Sequence, residues 1–123
     1  MQTVKFKKNG GPITVEIRAG YAQPGSYSLF LWEANVNKIV FEAKGNFINT
    51  DDDKYQLPLP NDVNDGRIID VVIILVITPP INNYYVEVIV EQDKVVIGKE
   101  FLGGSSVDPT KTIKLLVKME MER

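Results

Sequence analysis

The chain has 123 residues, a formal net charge of −2, and neither cysteine nor histidine. The absence of both residue types excludes Ser–His and Cys–His nucleophiles, thiol redox chemistry and the usual zinc sites, and the near-neutral charge disfavours nucleic-acid binding. Valine and isoleucine number 28 against 12 for leucine and alanine, which favours β-strands. We therefore expect a single all-β domain over residues 1–123, with no segment long enough to span a membrane.

The first part of the chain predicts two β-hairpins. Residues 1–20 alternate apolar and polar side chains on both sides of Asn9-Gly10, a dipeptide that supplies the positive φ angles of a tight turn. A second alternating pattern covers residues 27–45 and turns at residues 35–37. We predict one hairpin in each of these two segments.

The segment 46–66 is rich in Asp, Asn and Pro and has no sustained periodicity. We predict an extended connection there. Pro58 and Pro60 restrict it to an edge strand or to no strand, because proline cannot donate to a β-ladder. Leu57 and Leu59 are candidates to anchor this connection to the core.

The longest apolar run covers residues 68–77 and is interrupted only by Asp70. It predicts a strand with two apolar faces, of which one carries Ile69, Val71, Ile73, Leu75 and Ile77 and the other Ile68, Val72, Ile74 and Val76. Soluble monomers rarely expose such a patch, so the second face predicts either a covering segment from residues 46–60 or a terminus, or an interface with another protein. We take Ile68, Val72, Ile74 and Val76 as candidate interface residues, and we expect Asp70 to have a polar partner.

The last third of the chain predicts three strands. Residues 84–91 alternate cleanly and turn at residues 92–94 into residues 95–101, which predicts a third hairpin. Residues 103–106 predict a flexible glycine-rich loop, and residues 112–121 predict a final strand with one apolar face.

About eight strands and no helix predict an antiparallel β-sandwich with an immunoglobulin-like, jelly-roll or C2-like Greek-key arrangement. The length and strand count are similar to those of immunoglobulin-like and C2-like sandwiches. However, no cysteines flank Trp32, and the acidic loops lack a diagnostic spacing. Fold similarity therefore carries no functional argument here.

An acidic segment is the candidate metal site. Calcium prefers six to eight oxygen ligands from loops, and the candidates are Asp51, Asp52, Asp53, Asp62 and Asp65. The spacing does not fit an EF-hand, because Val63 would occupy a ligand position. The alternative is a solvated loop whose Asp and Asn residues form turns.

Two aromatic residues are candidates for ligand binding, because sugar-binding surfaces need exposed rings beside polar groups. Tyr85 shares its strand face with Glu87 and Glu91, whereas Trp32 also fits a core position.

Two functional hypotheses follow from the sequence. The leading one is a non-enzymatic protein that binds a protein partner or self-associates through the second face of residues 68–77. The alternative is a carbohydrate-binding module that calcium assists. An enzyme is disfavoured, because no spacing among the acidic residues singles out a catalytic pair.

Overall fold

The structure is a computed structural model that describes residues 1–47 and 53–123. In these ranges, nine strands form two sheets, and one short 3₁₀ helix at Asn61–Asn64 is the sole helical element. No helix of the described ranges has the length and apolarity needed to cross a membrane. The strands are β1 (Gln2–Phe6), β2 (Ile13–Gly20), β3 (Gly25–Trp32), β4 (Ile39–Asn46), β5 (Asp53–Gln56), β6 (Ile68–Val76), β7 (Asn83–Gln92), β8 (Val95–Ser105) and β9 (Thr110–Met121).

The two sheets pack against each other, which confirms the predicted all-β sandwich. Sheet A has the strand order β1-β9-β6-β3-β4, and sheet B has the order β5-β2-β7-β8. Neighbouring strands are antiparallel except β1, which runs parallel to β9. β6 is therefore the central strand of sheet A.

The core consists of the inward faces of the two sheets, as the period-two pattern of each strand requires. The predicted core face of β6 and the residue after it are buried, since none of its five residues from Ile69 to Ile77 is more than 5% exposed. Facing them from sheet B are Ile13, Val15, Val86 and Val88. Each such fully buried side chain contributes about 1.5–3 kcal/mol of transfer free energy.

Two of the three predicted hairpins are confirmed. β3 pairs antiparallel with β4, and β7 pairs antiparallel with β8. Asp93 and Lys94 have φ angles of 55° and 64°, and positive φ at both central residues suits the tight turn between two twisted strands. The final strand is also confirmed as β9.

The predicted hairpin over residues 1–20 is wrong. β1 pairs with β9, with Gln2 opposite Val117, while β2 pairs with β5 and β7 in the other sheet. The connection between them crosses from one sheet to the other, and Asn61 holds it by donating from Nδ2 to the carbonyl of Gly10 at 2.9 Å. The Asn9-Gly10 dipeptide correctly predicts a turn, but it does not determine which strands the two flanking segments pair with.

One further segment differs from expectation. The predicted loop at residues 103–106 is mostly strand, because β8 continues to Ser105 and pairs Gly103 with Tyr85. Segment 46–66 contains an edge strand, β5, which is one of the two alternatives predicted for it, and the described part has nine strands against about eight expected. Leu57 is buried as predicted, whereas Leu59 is 55% exposed.

Candidate functional site

The outer face of β6 and its cross-strand neighbours form an apolar surface on the outer side of sheet A. We call it the A face. It consists of Ile68, Asp70, Val72, Ile74 and Val76 on β6, Phe30 and Trp32 on β3, and Leu116 on β9. Ile74 and Val76 are 46% and 48% exposed. All four predicted interface residues therefore lie on the side of β6 that faces away from the core.

The described part of the segment 46–60, which the sequence offered as a cover, does not cover the A face. β5 pairs with β2 in sheet B, and Leu57 enters the core from that side. Both termini are also placed elsewhere, since β1 and β9 are strands of sheet A itself. Within the described ranges, the A face is thus open to a partner.

Asp70 is the centre of the A face. In the strand register it lies between Phe30 on β3 and Leu116 on β9. Its Oδ2 accepts a hydrogen bond from Trp32 Nε1 at 3.1 Å and lies 3.6 Å from Lys114 Nζ. Trp32 thus lies on the outer surface and is half-buried there, not in the core.

The second oxygen of Asp70 is unusual. The residue is 5% exposed, and its Oδ1 has no hydrogen-bond partner within the described residues. An unsatisfied buried acceptor costs about 1–3 kcal/mol. The predicted need for a polar partner is therefore met at one oxygen of this carboxylate and unmet at the other.

The outer face of sheet B carries the other candidate ring, Tyr85. Its hydroxyl donates to Glu87 at 2.9 Å, and its ring lies 6.0 Å from that of Phe101 between centroids, with 30° between the planes. Lys99 Nζ lies 2.7 Å from Glu87 and 5.9 and 5.7 Å from the two ring centroids. We call Tyr85, Phe101, Glu87 and Lys99 the B platform.

The electrostatics of the B platform keep its two charges paired. Burial opposes ionisation of Glu87, but hydrogen bonds from Lys99 and Tyr85 outweigh that effect and lower the pKa of this carboxyl. The same hydrogen bond to Glu87 raises the pKa of Lys99. The B platform therefore presents two rings beside a fixed anion and cation at neutral pH.

Sequence reasoning found Tyr85 but missed Phe101 and Lys99. These two residues reach Tyr85 from β8, and the register between β7 and β8 shifts at Val90/Glu91. The residue pattern does not reveal such a register shift. Counting residues outward from the turn between β7 and β8 therefore could not identify the neighbours of Tyr85. Tyr85 and Trp32 lie on opposite sheets, and the structure does not bring the two predicted rings together.

Two further carboxylates of sheet B, Glu16 and Glu91, form ion pairs. Glu16 is 2% exposed and accepts from Arg18 Nε at 2.5 Å. Lys54 Nζ lies 3.8 Å from Glu16 and 3.5 Å from Glu91. These two acids are thus matched to cations.

Of the predicted calcium ligands, Asp51 and Asp52 lie outside the described residues. Asp53 is in β5, Asp62 is in the 3₁₀ helix, and Asp65 accepts from the Met121 amide at 2.9 Å and from Arg123 at 2.7 Å. Among the described residues, no three His, Cys, Asp or Glu side chains are placed to hold a metal. Calcium binding by this segment stays a prediction.

No known protein family, curated protein or solved structure matches this chain. The functional argument therefore depends on the two surfaces described above.

Proposed function

We propose that this chain is a non-enzymatic protein that acts by self-association, and that its A face binds the A face of a second copy. The observation that carries the proposal is the exposure of Ile74 and Val76, at 46% and 48%, on the central strand of a five-stranded sheet. Exposed apolar area of this kind is typical of association surfaces. The unsatisfied Oδ1 of Asp70 adds support, because it lowers the stability of the monomer and accepts no hydrogen bond there that would offset this cost.

The size of the outer side of sheet A, with the A face at its centre, suits a dimer. The nine residues of β6 extend about 30 Å and the five strands of sheet A together extend about 24 Å, so this side of the sheet covers about 700 Å². A standard protein interface buries about 800 Å² on each partner.

The charges on and around the A face suit a second copy. Lys44, Lys114 and Lys118 lie on the same side of the sheet as Glu42 and Asp70. A two-fold axis places the same patch on both subunits, so charges of both signs on one patch can pair across it. A strongly basic or acidic face would repel its own copy.

The test is the solution mass by light scattering coupled to size exclusion, across a range of concentrations. We expect the wild type to dimerise and Ile74→Lys to weaken the dimer at least tenfold, because the lysine charge would be buried in an apolar interface. The matched control is Val95→Lys, at a 60% exposed position at the start of β8 in the other sheet, which should leave the mass unchanged. A monomer at every concentration would refute the proposal, and so would a dimer that tolerates Ile74→Lys.

The B platform supports a second candidate, which is carbohydrate binding on the outer face of sheet B. Two adjacent rings can stack on sugar faces, and Glu87 and Lys99 beside them can take hydroxyl groups. A glycan screen with and without a chelator tests this function and its calcium-assisted form. We expect Tyr85→Ala to abolish any binding and Trp32→Phe, on the opposite sheet, to preserve it. A silent screen, or a hit that survives Tyr85→Ala, would refute the platform as the site.

A further inference from the structure

β9 has one edge that is only partly paired. β6 pairs with residues 110–118 of β9 on one side, and β1 pairs with residues 117–121 on the other. On the β1 side, residues 110–116 therefore have no neighbouring strand in the described ranges. We call this part of β9, residues 110–116, the bare edge.

A groove of about 300 Å³ lies along this bare edge. It is lined by Met1, Glu100, Phe101, Leu102, Lys114, Leu115 and Leu116. The opposite wall is the second half of β8, where Leu102 points towards the core side but is still 41% exposed. The groove is thus a mainly apolar gap between the two sheets, with Glu100 and Lys114 as its charged lining residues and a strand edge on each side.

The backbone direction of β9 follows from its hydrogen bonds. On the β6 side, the Met119 amide donates to the Arg67 carbonyl at 2.8 Å. On the β1 side, the Glu122 amide donates to the Phe6 carbonyl at 2.8 Å. Because peptide groups alternate along a strand, the N–H and C=O groups of even-numbered residues of β9 point towards the β1 side. The N–H and C=O groups of Thr112 and Lys114 therefore lie on the bare edge, and Lys114 also lines the groove.

The edge of β8 across the groove is already capped by side chains. The Lys99 amide donates to Gln2 Oε1 at 3.2 Å, and the Phe101 amide donates to Glu100 Oε1 at 3.1 Å. Side-chain caps of this type protect an edge strand from pairing with another chain. No such cap for the amides of Thr112 and Lys114 is found among the described residues, which makes β9 the edge that can accept a strand.

We propose that this groove binds an extended segment of a partner protein, which adds to sheet A parallel to β9 and in line with β1. β1 supports this choice because it occupies the continuation of the same edge as a parallel strand. Its Val4 and Phe6 point inward opposite Met119 and Met121, while Lys5 points outward. The partner segment is therefore expected to place apolar side chains inward and polar side chains outward.

The charges next to the groove specify the polar residues of the partner. Lys114 Nζ lies 3.6 Å from Asp70 Oδ2, but its side chain is 59% exposed on the outward side of the bare edge. Because an ammonium group has three donors, Lys114 can also bind a carboxylate of the partner segment. The acid among the lining residues, Glu100, is bound to the Phe101 amide. We therefore infer a segment that alternates apolar residues with acidic ones, and this inference does not depend on self-association through the A face.

The test uses the full chain and a short fluorescein-labelled peptide of alternating valine and glutamate. We expect saturable binding by fluorescence anisotropy at protein concentrations below any dimerisation. A peptide N-methylated at alternate amides, which lacks the strand-pairing donors, should not bind. A valine–lysine peptide should bind at least tenfold more weakly. Equal binding of the N-methylated peptide, or no binding of the valine–glutamate peptide, would overturn the proposal.

A variant pair locates the site. Lys114→Glu should reverse the preference between the two peptides, whereas Lys118→Glu should not, because Lys118 lies where β9 is already paired with β1. Amide exchange followed by NMR should show protection of Thr112 and Lys114 on peptide binding and no change at Ile113, which faces β6. Protection confined to other strands would contradict the assignment, even if the peptide binds.

Discussion

The position of β1 beneath β8 can be tested at Gly98. A Cβ added at Gly98 would overlap Val4 Cγ2 and would lie 3.1 Å from both Cβ and Cγ1 of Val4. Val4 is 1% exposed, and as a β-branched residue it has little freedom to rotate away. We therefore expect Gly98→Ala to lower the free energy of unfolding by about 1–3 kcal/mol, the usual cost of overpacking. The sign of this change in the free energy of unfolding is informative, because replacing glycine by alanine at a relaxed strand position would stabilise the protein by about 0.5–1 kcal/mol.

The partner variant is Val4→Ala, which removes two methyl groups and should destabilise by about 1.6 kcal/mol or somewhat more with its cavity. In the double variant, the alanine methyl at Gly98 occupies the space that Val4 leaves. The double variant should then be more stable than the sum of the two changes predicts, by about 1–2 kcal/mol. Urea denaturation followed by circular dichroism measures all four proteins of this cycle.

A matched control for the cycle is Val95→Ala, at a 60% exposed position on β8, which should change stability by less than about 0.5 kcal/mol. The reasoning is refuted if Gly98→Ala is stabilising, or if the double variant is additive within about 0.5 kcal/mol. Either result would mean that β1 does not lie against β8. The strand-addition proposal would then lose its structural precedent.

Two side chains give further predictions about stability. Hydrogen bonds from Arg67 to Glu33, at 3.1 and 3.0 Å, hold the pKa of Glu33 at about 2, below its ordinary 4.5. The stability that this ion pair contributes is complete above pH 4.5 and is lost as the pH falls through about 2. Between these pH values, the melting temperature of Glu33→Gln should therefore fall less than that of the wild type. Parallel curves of melting temperature against pH for the two proteins would contradict this. Asp70→Leu removes the unsatisfied Oδ1 of Asp70, and we expect the melting temperature of the monomer to stay unchanged or rise, whereas a clear drop would show that the bond to Trp32 dominates.

The sequence by itself determined the fold class and the two faces of β6. Valine and isoleucine at period two fit a pleated strand, and a run that is apolar at both phases must present an apolar outer face. The hairpins β3–β4 and β7–β8 could also be predicted from the sequence, because the two strands of each hairpin are joined by a short turn. The candidate interface residues Ile68, Val72, Ile74 and Val76 followed from that same alternation, which is a local property of the chain.

The tertiary structure alone decided the partners of β1, the position of Trp32 and the existence of the groove. Alternation shows which side chains share a face, but it does not show which strand lies alongside, because strand pairing between distant segments depends on how all strands fill one core. β1 is parallel to β9, more than one hundred residues away in the chain, and no local signal encodes that pairing. The bare edge of β9 arises because β1 pairs with only one end of it, and such a mismatch in strand position exists only once the sheets have assembled.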